Sequence, residues 1–429
     1  MSGIVGVRQW DDRSVRVYRR LEGEVRAETH PHLPWLLARD PALVEGLSEE
    51  PESVVPLEGP EPLRWLLRYR RWPLLWEAVQ RALAREGERR RQRLASYLDI
   101  DDLYILADPV EQWLAASAST FYVGMAETEV VRLQLALQTA APPGRTSRAE
   151  RSEDRILTIA TIVHDGRKSV FRLKKNDERA LLSDFIAWFQ ATDPDIVEGE
   201  ELFTFTLPYL ANRCALLGLP CDLGREVTSL RLGPAPIGKG AWEMPGRTLL
   251  DPAETLRHAG PFVEALLPPL RRPTRTGAPV SLKADLTPLQ QCSDLRTHTE
   301  RLVRLAHALA PHLPMTPERF FRTGPGHWLE AWLLGSSVRS GTAMPAAERS
   351  TGHGEHSEPN GMTGLFAPAA ELVLVPLKVR TVPALNDGPN SQLPPWVERV
   401  RAAWEPSLDS GHAISWPRNG PPTGPLLPT

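Results

Sequence analysis

The sequence from Arg132 to Thr139 reads RLQLALQT, and this stretch decides the fold. Leucines at 133, 135 and 137 alternate with polar or small residues, which is the period of a strand with one buried face. Carboxylates at positions 136 and 138 would lie on the same face of that strand and could share a pair of divalent cations. These positions hold Ala136 and Gln138, so the stretch has the shape of a metal-binding strand without its ligands.

The composition of the whole chain is that of a globular protein. Its 429 residues predict two to four domains, with 41% hydrophobic and 24% charged residues. The net charge of -3 argues against a globally basic nucleic-acid binder but leaves room for a local basic patch. Of the 50 basic residues 44 are Arg, which the codon bias of a GC-rich genome explains, although guanidinium groups also suit bidentate phosphate contacts.

The cysteines and the apolar runs limit the cellular setting. Cys214, Cys221 and Cys292 form no CxxC pair and predict neither a disulfide framework nor a zinc site. No apolar run reaches transmembrane length, and the N-terminus is too polar for a signal peptide. The sequence therefore predicts a soluble, cytoplasmic protein with no membrane partner.

Strand and helix patterns surround the stretch at 132–139. The apolar segment 155–163 turns at Asp165-Gly166 and pairs with 169–173 as a predicted hairpin. A strand is predicted at 196–197, and the helix before it is capped by Asn176 or Asp177. Strands followed by helices in this way predict a mixed sheet covered by helices.

A strongly basic stretch precedes this region, and we predict it to be helical. Aromatic residues are interleaved with ten arginines and three glutamates between positions 64 and 93. Two interpretations remain open: a nucleic-acid surface with stacked bases, or an amphipathic helix with tryptophans in the core and arginines in solvent. The first interpretation assigns nucleic-acid contacts to Arg64, Arg68, Arg70, Arg71, Arg89, Arg90, Arg91 and Arg93.

Several segments, in this order, resemble the N-terminal and 3′–5′ exonuclease domains of family B DNA polymerases of the archaeal and bacterial type. Residues 108–114 and 120–125 resemble the segment that leads into the exonuclease domain, and 132–139 resembles its first motif. Residues 193–210 resemble the second motif, and 245–251 the strand that follows it. The resemblance implies an α/β (mixed α+β) fold: an RNase H-like exonuclease fold preceded by a family B polymerase N-terminal domain.

The catalytic residues that the resemblance implies are missing. The family's exonuclease holds two metal ions with carboxylates. Ala136 and Gln138 stand where the first motif has Asp and Glu, and Thr206 stands where the second has Asp. The third motif needs a Tyr and an Asp about one helical turn apart; no tyrosine follows Tyr209, and Asp294 is at best a remnant. At about 3 kcal/mol for each lost ligand, three losses exceed roughly six orders of magnitude in rate. The resemblance therefore implies no catalytic residue and no metal cofactor.

A further segment resembles part of the polymerase domain. Residues 372–384 resemble the first palm strand and the turn after it, with Leu377 and Val382 where the family has Asp and Tyr. Only 46 residues follow Pro383, and they contain neither Tyr nor paired Asp. We expect a truncated chain with a vestigial palm segment and no polymerase activity.

These observations predict four segments and two functions. The segments are an N-terminal domain at 1–125, a degenerate exonuclease domain at 126–311, a helical segment with the palm strand at 312–390, and a Pro-rich tail at 391–429. The first function is that of an inactive DNA-binding or scaffolding subunit in replication or repair, with single-stranded or primed DNA and other replication or repair proteins as partners.

The alternative function is a residual 3′–5′ exonuclease. It would use a relocated acidic site that holds Mg²⁺ or Mn²⁺ on Glu198, Glu200 and Glu201, with Asp294 nearby. The competing interpretation of these glutamates is a solvated acidic turn at the end of a strand. A third possibility is a decaying gene without a function.

Overall fold

The computed structural model describes residues 3–94, 96–141, 146–233, 242–258 and 287–345, together with two short paired strands, His412–Ala413 and Leu427–Pro428. The predicted palm segment at 372–384 lies outside the described residues, as does most of the predicted tail.

The chain begins with a three-stranded antiparallel sheet, in which the second strand is central. The strands are β1 (Gly3–Gln9), β2 (Ser14–Leu21) and β3 (Glu24–Pro31). Val15 and Val17 of β2 are fully buried on one face, and Arg16, Tyr18 and Arg20 lie on the other. This second face is turned toward later parts of the chain, where Tyr18 contacts Glu226 and Arg20 contacts Asp195.

A second antiparallel sheet has the strand order β5-β6-β4-β7. Its strands are β4 (Trp35–Ala38), β5 (Ser53–Pro56), β6 (Trp65–Arg68) and β7 (Leu103–Tyr104). Short 3₁₀ turns lie at Pro41–Val44 and Tyr97–Asp99, and helix α1 (Trp72–Arg90) packs on the sheet.

The basic stretch from Arg64 to Arg93 is not one helix, so that prediction was wrong in its first part. Residues 65–68 form β6, which is hydrogen-bonded to strands on both sides, and the helix begins only at Trp72. Pairing on both edges overrides the local helical pattern. Pro73 suits the start of a helix, because a missing N–H costs nothing in the first turn.

The aromatic residues of α1 face the core. Leu75 and Val79 are fully buried, and Trp72 and Trp76 are half-buried against the same cluster, with ring centroids 6.2 Å apart. This burial agrees with the amphipathic interpretation of the tryptophans.

Helix α2 (Pro109–Ser117) joins this sheet to the rest of the chain. Asp108 caps it, because its carboxylate accepts hydrogen bonds from the N–H groups of Val110 (2.8 Å) and Glu111 (3.1 Å). Buried Gln112 accepts a hydrogen bond from the N–H of Trp35 at 2.9 Å and donates to the Trp35 carbonyl at 2.8 Å. A 3₁₀ turn, Glu127–Glu129, then leads into the third sheet.

The third sheet has the strand order β10-β9-β8-β11-β14. The strands after α2 are β8 (Arg132–Thr139), β9 (Ile156–Val163), β10 (Lys168–Arg172), β11 (Ile196–Glu198), β12 (Arg231–Leu232), β13 (Trp242–Glu243) and β14 (Thr248–Leu250). The pairs β8–β9 and β9–β10 are antiparallel, whereas β8–β11 and β11–β14 are parallel. The predicted mixed sheet and the β9–β10 hairpin are confirmed.

Helices cover both faces of this sheet. The helices after α2 are α3 (Glu178–Thr192), α4 (Leu207–Leu216), α5 (Pro252–His258), α6 (Pro288–Leu309), α7 (Pro317–Arg322) and α8 (Pro325–Ser340), of which α8 packs on α2 instead. A 3₁₀ turn, Ala310–His312, follows α6, and a turn of π-helix, Leu202–Thr206, leads into α4. Asp177 caps α3 through the N–H of Ala180 at 2.9 Å. Helices α3 and α4 share a core with one face of the sheet, and α6 lies on the other.

Among the described residues, no helix combines the length and the apolar character that a bilayer crossing requires.

Another apolar core contains residues from three of the predicted segments. The boundaries between those segments stay predictions. This core joins the first sheet to α2 and to the helices after residue 300, with Leu302 and Trp328 fully buried and the rings of Phe320 and Trp328 stacked at 4.1 Å. Polar contacts join the same parts of the chain.

Fully buried Asp195 is the centre of those polar contacts. It accepts two hydrogen bonds from Arg20 of β2, at 3.0 and 2.9 Å, and another from Arg225. The N–H of Val131 also donates to this carboxylate, at 2.8 Å. The N-terminal sheet is therefore joined to the third sheet by a buried, fully hydrogen-bonded ion cluster.

Candidate functional site

Strand β8 is buried on both faces over its first half. Leu133 and Leu135 enter the core under α3 and α4, as the alternation predicts. Arg132 and Gln134, on the opposite face, are also buried, because α6 covers that face. The strand opens to solvent only toward its end, where Ala136 is half-buried and Gln138 is exposed. The expectation of a single buried face was therefore wrong for the first half of the strand.

A buried ion pair lies between β8 and β11. Arg132 donates from Nε to Glu198 Oε1 at 2.8 Å, and Gln134 donates to the same oxygen at 3.0 Å. Thr299 of α6 donates its hydroxyl to Glu198 Oε2, and Arg132 also contacts Glu300 at 2.7 Å. The parallel register that places Arg132 beside Ile196 and Gln134 beside Glu198 creates this arrangement.

The charges in this cluster compensate one another. Burial disfavours the charged guanidinium of Arg132, but the carboxylates of Glu198 and Glu300 outweigh that effect and raise its pKa. Glu198 is fully buried and its two oxygens are both occupied. The interpretation of Glu198 as part of a solvated turn was wrong, because this side chain is buried, and its role as a metal ligand stays a prediction.

A small pocket opens next to this cluster, one strand step along β8. Ala136 and Thr206 both line it, although they belong to motifs far apart in the sequence. Glu200 contributes a carboxylate, and Gln291 and Leu295 of α6 form the opposite wall. The resemblance predicted that positions 136 and 206 share one site, and the structure brings them together.

The π-helical turn places Thr206 in the pocket. Glu201 begins it with a left-handed backbone (φ 48°), and its carbonyl accepts hydrogen bonds from the N–H groups of Phe205 (2.9 Å) and Thr206 (3.0 Å). The N–H of Leu202 donates to buried Asp251 at 2.8 Å. Burial raises the pKa of Asp251, although backbone N–H groups around it favour its charged form. Single turns of π-helix are rare in proteins, and those that occur are often found at functional sites.

The remaining predicted residues lie outside the pocket. Gln138 is exposed at the end of its strand, and Asp294 is exposed on α6, so the register assigned to Asp294 is not that of the pocket wall. Gln291 and Leu295, one helical turn apart, face the pocket instead, although neither is a residue type of the motif. The only sequence signal for them is a spacing of four residues that continues to Thr299.

The pocket does not fit a two-metal site. Glu200 lines it, whereas Glu201 is exposed and Glu198 is held by Arg132. Within the described ranges, no group of three His, Cys, Asp or Glu side chains is placed to hold a metal ion. Divalent cations such as Mg²⁺ need several oxygen ligands, and the walls at Ala136 and Leu295 offer none.

The predicted arginines are partly neutralised by neighbouring carboxylates. Arg70 pairs with Glu52 and Arg71 with Glu49, while Arg89 and Arg90 share Glu86. Four other members of the predicted group have no carboxylate partner within the described part of the chain. They are Arg64, Arg68, Arg91 and Arg93.

Comparisons with known proteins give a short sequence match and a similar fold. No family profile matches the sequence. A stretch of 77 residues is 32% identical to a DNA polymerase of Archaeoglobus fulgidus, which is 18% of this chain and 10% of that polymerase. The stretch therefore supports a local relationship and does not extend to the whole polymerase.

The fold is similar to a solved family B DNA polymerase from the hyperthermophilic archaeon Pyrobaculum calidifontis. The TM-score is 0.57 and the sequence identity 16%, over 81% of this chain and 52% of the polymerase chain. This chain thus spans about half of that polymerase. The predicted fold class is confirmed: a mixed α/β chain with open sheets, similar to the N-terminal and exonuclease region of a family B polymerase.

Proposed function

We propose that this chain is a catalytically inactive relative of the family B DNA polymerases that binds DNA, as a DNA-binding or scaffolding subunit in replication or repair. The observation that supports the inactivity is the pocket at the end of β8. Ala136, Thr206 and Leu295 form its walls where an exonuclease would need carboxylates.

The buried cluster beside the pocket supports the same proposal. The Arg132 guanidinium and Gln134 both donate to the Glu198 carboxylate, one strand step from Ala136, so the nearest buried carboxylate is already engaged by protein groups.

The proposed inactivity extends to polymerase chemistry. Leu377 and Val382 stand where the resemblance places an Asp and a Tyr, and neither can bind a metal ion or a nucleotide phosphate. That segment lies outside the described residues, so this part of the proposal rests on the sequence.

DNA binding is proposed from the fold and from an aromatic–arginine contact at the π-helical turn. Phe203 lies in the same π-helical turn as Thr206 and is half-buried, and the guanidinium of Arg322 lies 4.4 Å from its ring centroid. Aromatic rings and arginines in combination suit single-stranded DNA, because bases stack and phosphates pair with guanidinium groups.

Titration of single-stranded and primed DNA at several salt concentrations tests this proposal. We expect an affinity that falls as salt rises, because phosphate contacts release counterions. Binding that does not depend on salt, or no binding at all, would leave only a role in protein–protein contacts.

The alternative, a residual exonuclease, keeps one structural argument: Glu200 is a carboxylate inside the pocket. It predicts DNA cleavage in Mg²⁺ or Mn²⁺ that disappears in Glu200→Gln and persists in the matched control Glu201→Gln, whose side chain is exposed. Equal results for the two variants would remove the argument for this alternative.

A further inference from the structure

Five arginines surround the C-terminal end of α1, and we call this surface the arginine platform. It consists of Arg39, at the end of β4, and Arg89, Arg90, Arg91 and Arg93, at the end of the helix and just beyond it. Asp102 joins the two parts, because it contacts Arg39 at 2.7 Å and Arg89 at 3.9 Å. A helix C-terminus also favours positive charge near its unpaired carbonyl groups.

Two carboxylates of this surface, Glu86 and Asp102, are less exposed than the guanidinium groups that contact them, whereas Asp101 is 36% exposed against 26% for its partner Arg90. Glu86 is only 1% exposed, and it accepts hydrogen bonds from Arg89 Nε at 2.7 Å and Arg89 Nη2 at 2.6 Å, as well as one from Arg90. The side chain of Arg89 above it is 64% exposed, and that of Arg39 is 52% exposed against 21% for its partner Asp102. A ligand in solvent therefore meets guanidinium groups, although Glu88 on the same helix is also exposed.

The ion pairs hold these guanidinium groups in place and leave part of each free. A guanidinium has five N–H donors, and Arg89 uses Nε and Nη2 for Glu86. An arginine that is already ordered loses less side-chain entropy when it binds a phosphate. Arg91 and Arg93 are exposed and have no carboxylate partner within the described part of the chain.

An apolar surface adjoins the platform. The turn Tyr97–Asp99 is fixed by a capping box at Ser96, and it exposes 56% of Leu98. Tyr97 is half-buried, with its ring 5.8 Å from that of Trp76. The chain continues from this turn directly to Asp101, which contacts Arg90 at 3.0 Å.

We propose that the arginine platform binds the phosphodiester backbone of single-stranded DNA and that Glu86 is its positioning residue. The inference rests on the proposed function and specifies which part of the basic stretch contacts nucleic acid. Guanidinium forks match phosphate oxygens, and the Tyr97–Leu98 surface offers an unpaired base an apolar contact that a duplex cannot reach.

The test is fluorescence anisotropy of labelled oligothymidylate with the full chain over a range of salt concentrations. The triple variant Arg89→Ser/Arg91→Ser/Arg93→Ser removes three cations. We therefore expect the negative slope of log K against log salt to become shallower by about 2. The matched control Arg13→Ser/Arg167→Ser/Arg257→Ser removes three arginines that are 66%, 65% and 55% exposed elsewhere, and it should bind like the wild type.

Glu86→Gln separates a positioned platform from simple charge attraction. This variant makes the surface more positive, so charge alone predicts tighter binding. The platform predicts weaker binding, because Arg89 and Arg90 lose their anchor while all the cations remain. Thermal unfolding of the variant confirms that it is folded.

The outcomes distinguish this inference from the proposed function. A wild type that does not bind DNA overturns both. Binding that survives the triple substitution, or falls equally in the control, overturns the platform and leaves the proposed function standing. Tighter or unchanged binding in Glu86→Gln overturns the positioning role of Glu86.

Discussion

Arg132 donates from Nε to Glu198 Oε1 at 2.8 Å inside the third sheet, where both side chains are almost completely removed from solvent. The pair joins the first strand of the exonuclease-like sheet to its parallel neighbour, and Thr299 extends it to α6. The Arg132 guanidinium on the polar face of β8 is thus paired with the carboxylates of Glu198 and Glu300.

Arg132→Leu should destabilise the fold strongly. It leaves the Glu198 carboxylate buried without its counter-charge, which costs about 3 to 5 kcal/mol. The double variant Arg132→Leu/Glu198→Leu should recover most of that loss, because an apolar pair needs no compensation. Urea unfolding measures the free energy of each variant. A control, Arg231→Leu, removes a pair with Glu243 that is about half exposed, and should cost less than about 1 kcal/mol. A double variant as unstable as the single one would contradict this account.

Asp195→Asn should weaken the join between the N-terminal sheet and the third sheet. Arg20 and Arg225 would keep their charges in a buried site without the carboxylate, so we expect a loss of about 3 kcal/mol by urea unfolding. Asp165→Asn is the matched control, since that carboxylate is 37% exposed in a turn beside Arg167. Equal stability of the two variants would show that the buried cluster does not hold the sheets together.

Glu111→Gln should raise stability at alkaline pH. Burial raises the pKa of Glu111 to about 7 in the folded chain, from an ordinary value of 4.5. The folded state therefore binds the proton more tightly than the unfolded state. The stability that this proton contributes is complete below about pH 4.5 and is lost as the pH rises through about 7. The amide keeps the oxygen that accepts from Thr316 at 2.9 and 2.7 Å.

The measurement is the free energy of unfolding of wild type and Glu111→Gln at several pH values. We expect similar stability near pH 5 and an advantage for the variant of about 1 to 3 kcal/mol near pH 8. Glu24→Gln, at an exposed strand start, should follow the wild type. A constant difference across this range would contradict the shifted pKa.

Glu226→Gln should have the opposite pH dependence. Hydrogen bonds from Arg16 first, and from Tyr18 and Arg8, lower the pKa of Glu226 to about 2. Its stabilising contribution is present above pH 4.5 and lost as the pH falls toward 2. Because the side chain is 30% exposed, solvent screening limits the expected loss in the variant at pH 7 to about 1 kcal/mol. A variant that is equally destabilised at pH 7 and pH 2.5 would refute the ionic origin of this contribution.

The elements that local pattern determines could be predicted from the sequence. The alternation of leucines at 133, 135 and 137 fixed the core face of β8, and the Asp165-Gly166 turn fixed the β9–β10 hairpin. Asp177 caps its helix as one of two predicted candidates. The order of the motifs implied that Ala136 and Thr206 lie in one site, and both residues line the same pocket.

The features that were not predicted depend on contacts between distant segments of the chain. The burial of Arg132 and Glu198 depends on the β8–β11 register and on α6, and a charged residue gives no local sign of such a partner. The strand at 65–68 reads as part of a basic helix until its two neighbouring strands are known. Gln291 and Leu295 are neutral residue types that no catalytic motif requires, so their place in the pocket follows only from the packing of α6.

Catalytic inactivity is tested most directly by incubating the wild-type chain with 5′-labelled primed DNA in Mn²⁺ at concentrations that saturate binding, and by resolving the products on a denaturing gel. We expect that the DNA is bound and remains full length, because the pocket lined by Ala136 and Thr206 offers too few carboxylates to hold a metal pair. Shortening of the labelled strand that rises with protein concentration and is lost in Glu200→Gln would contradict it.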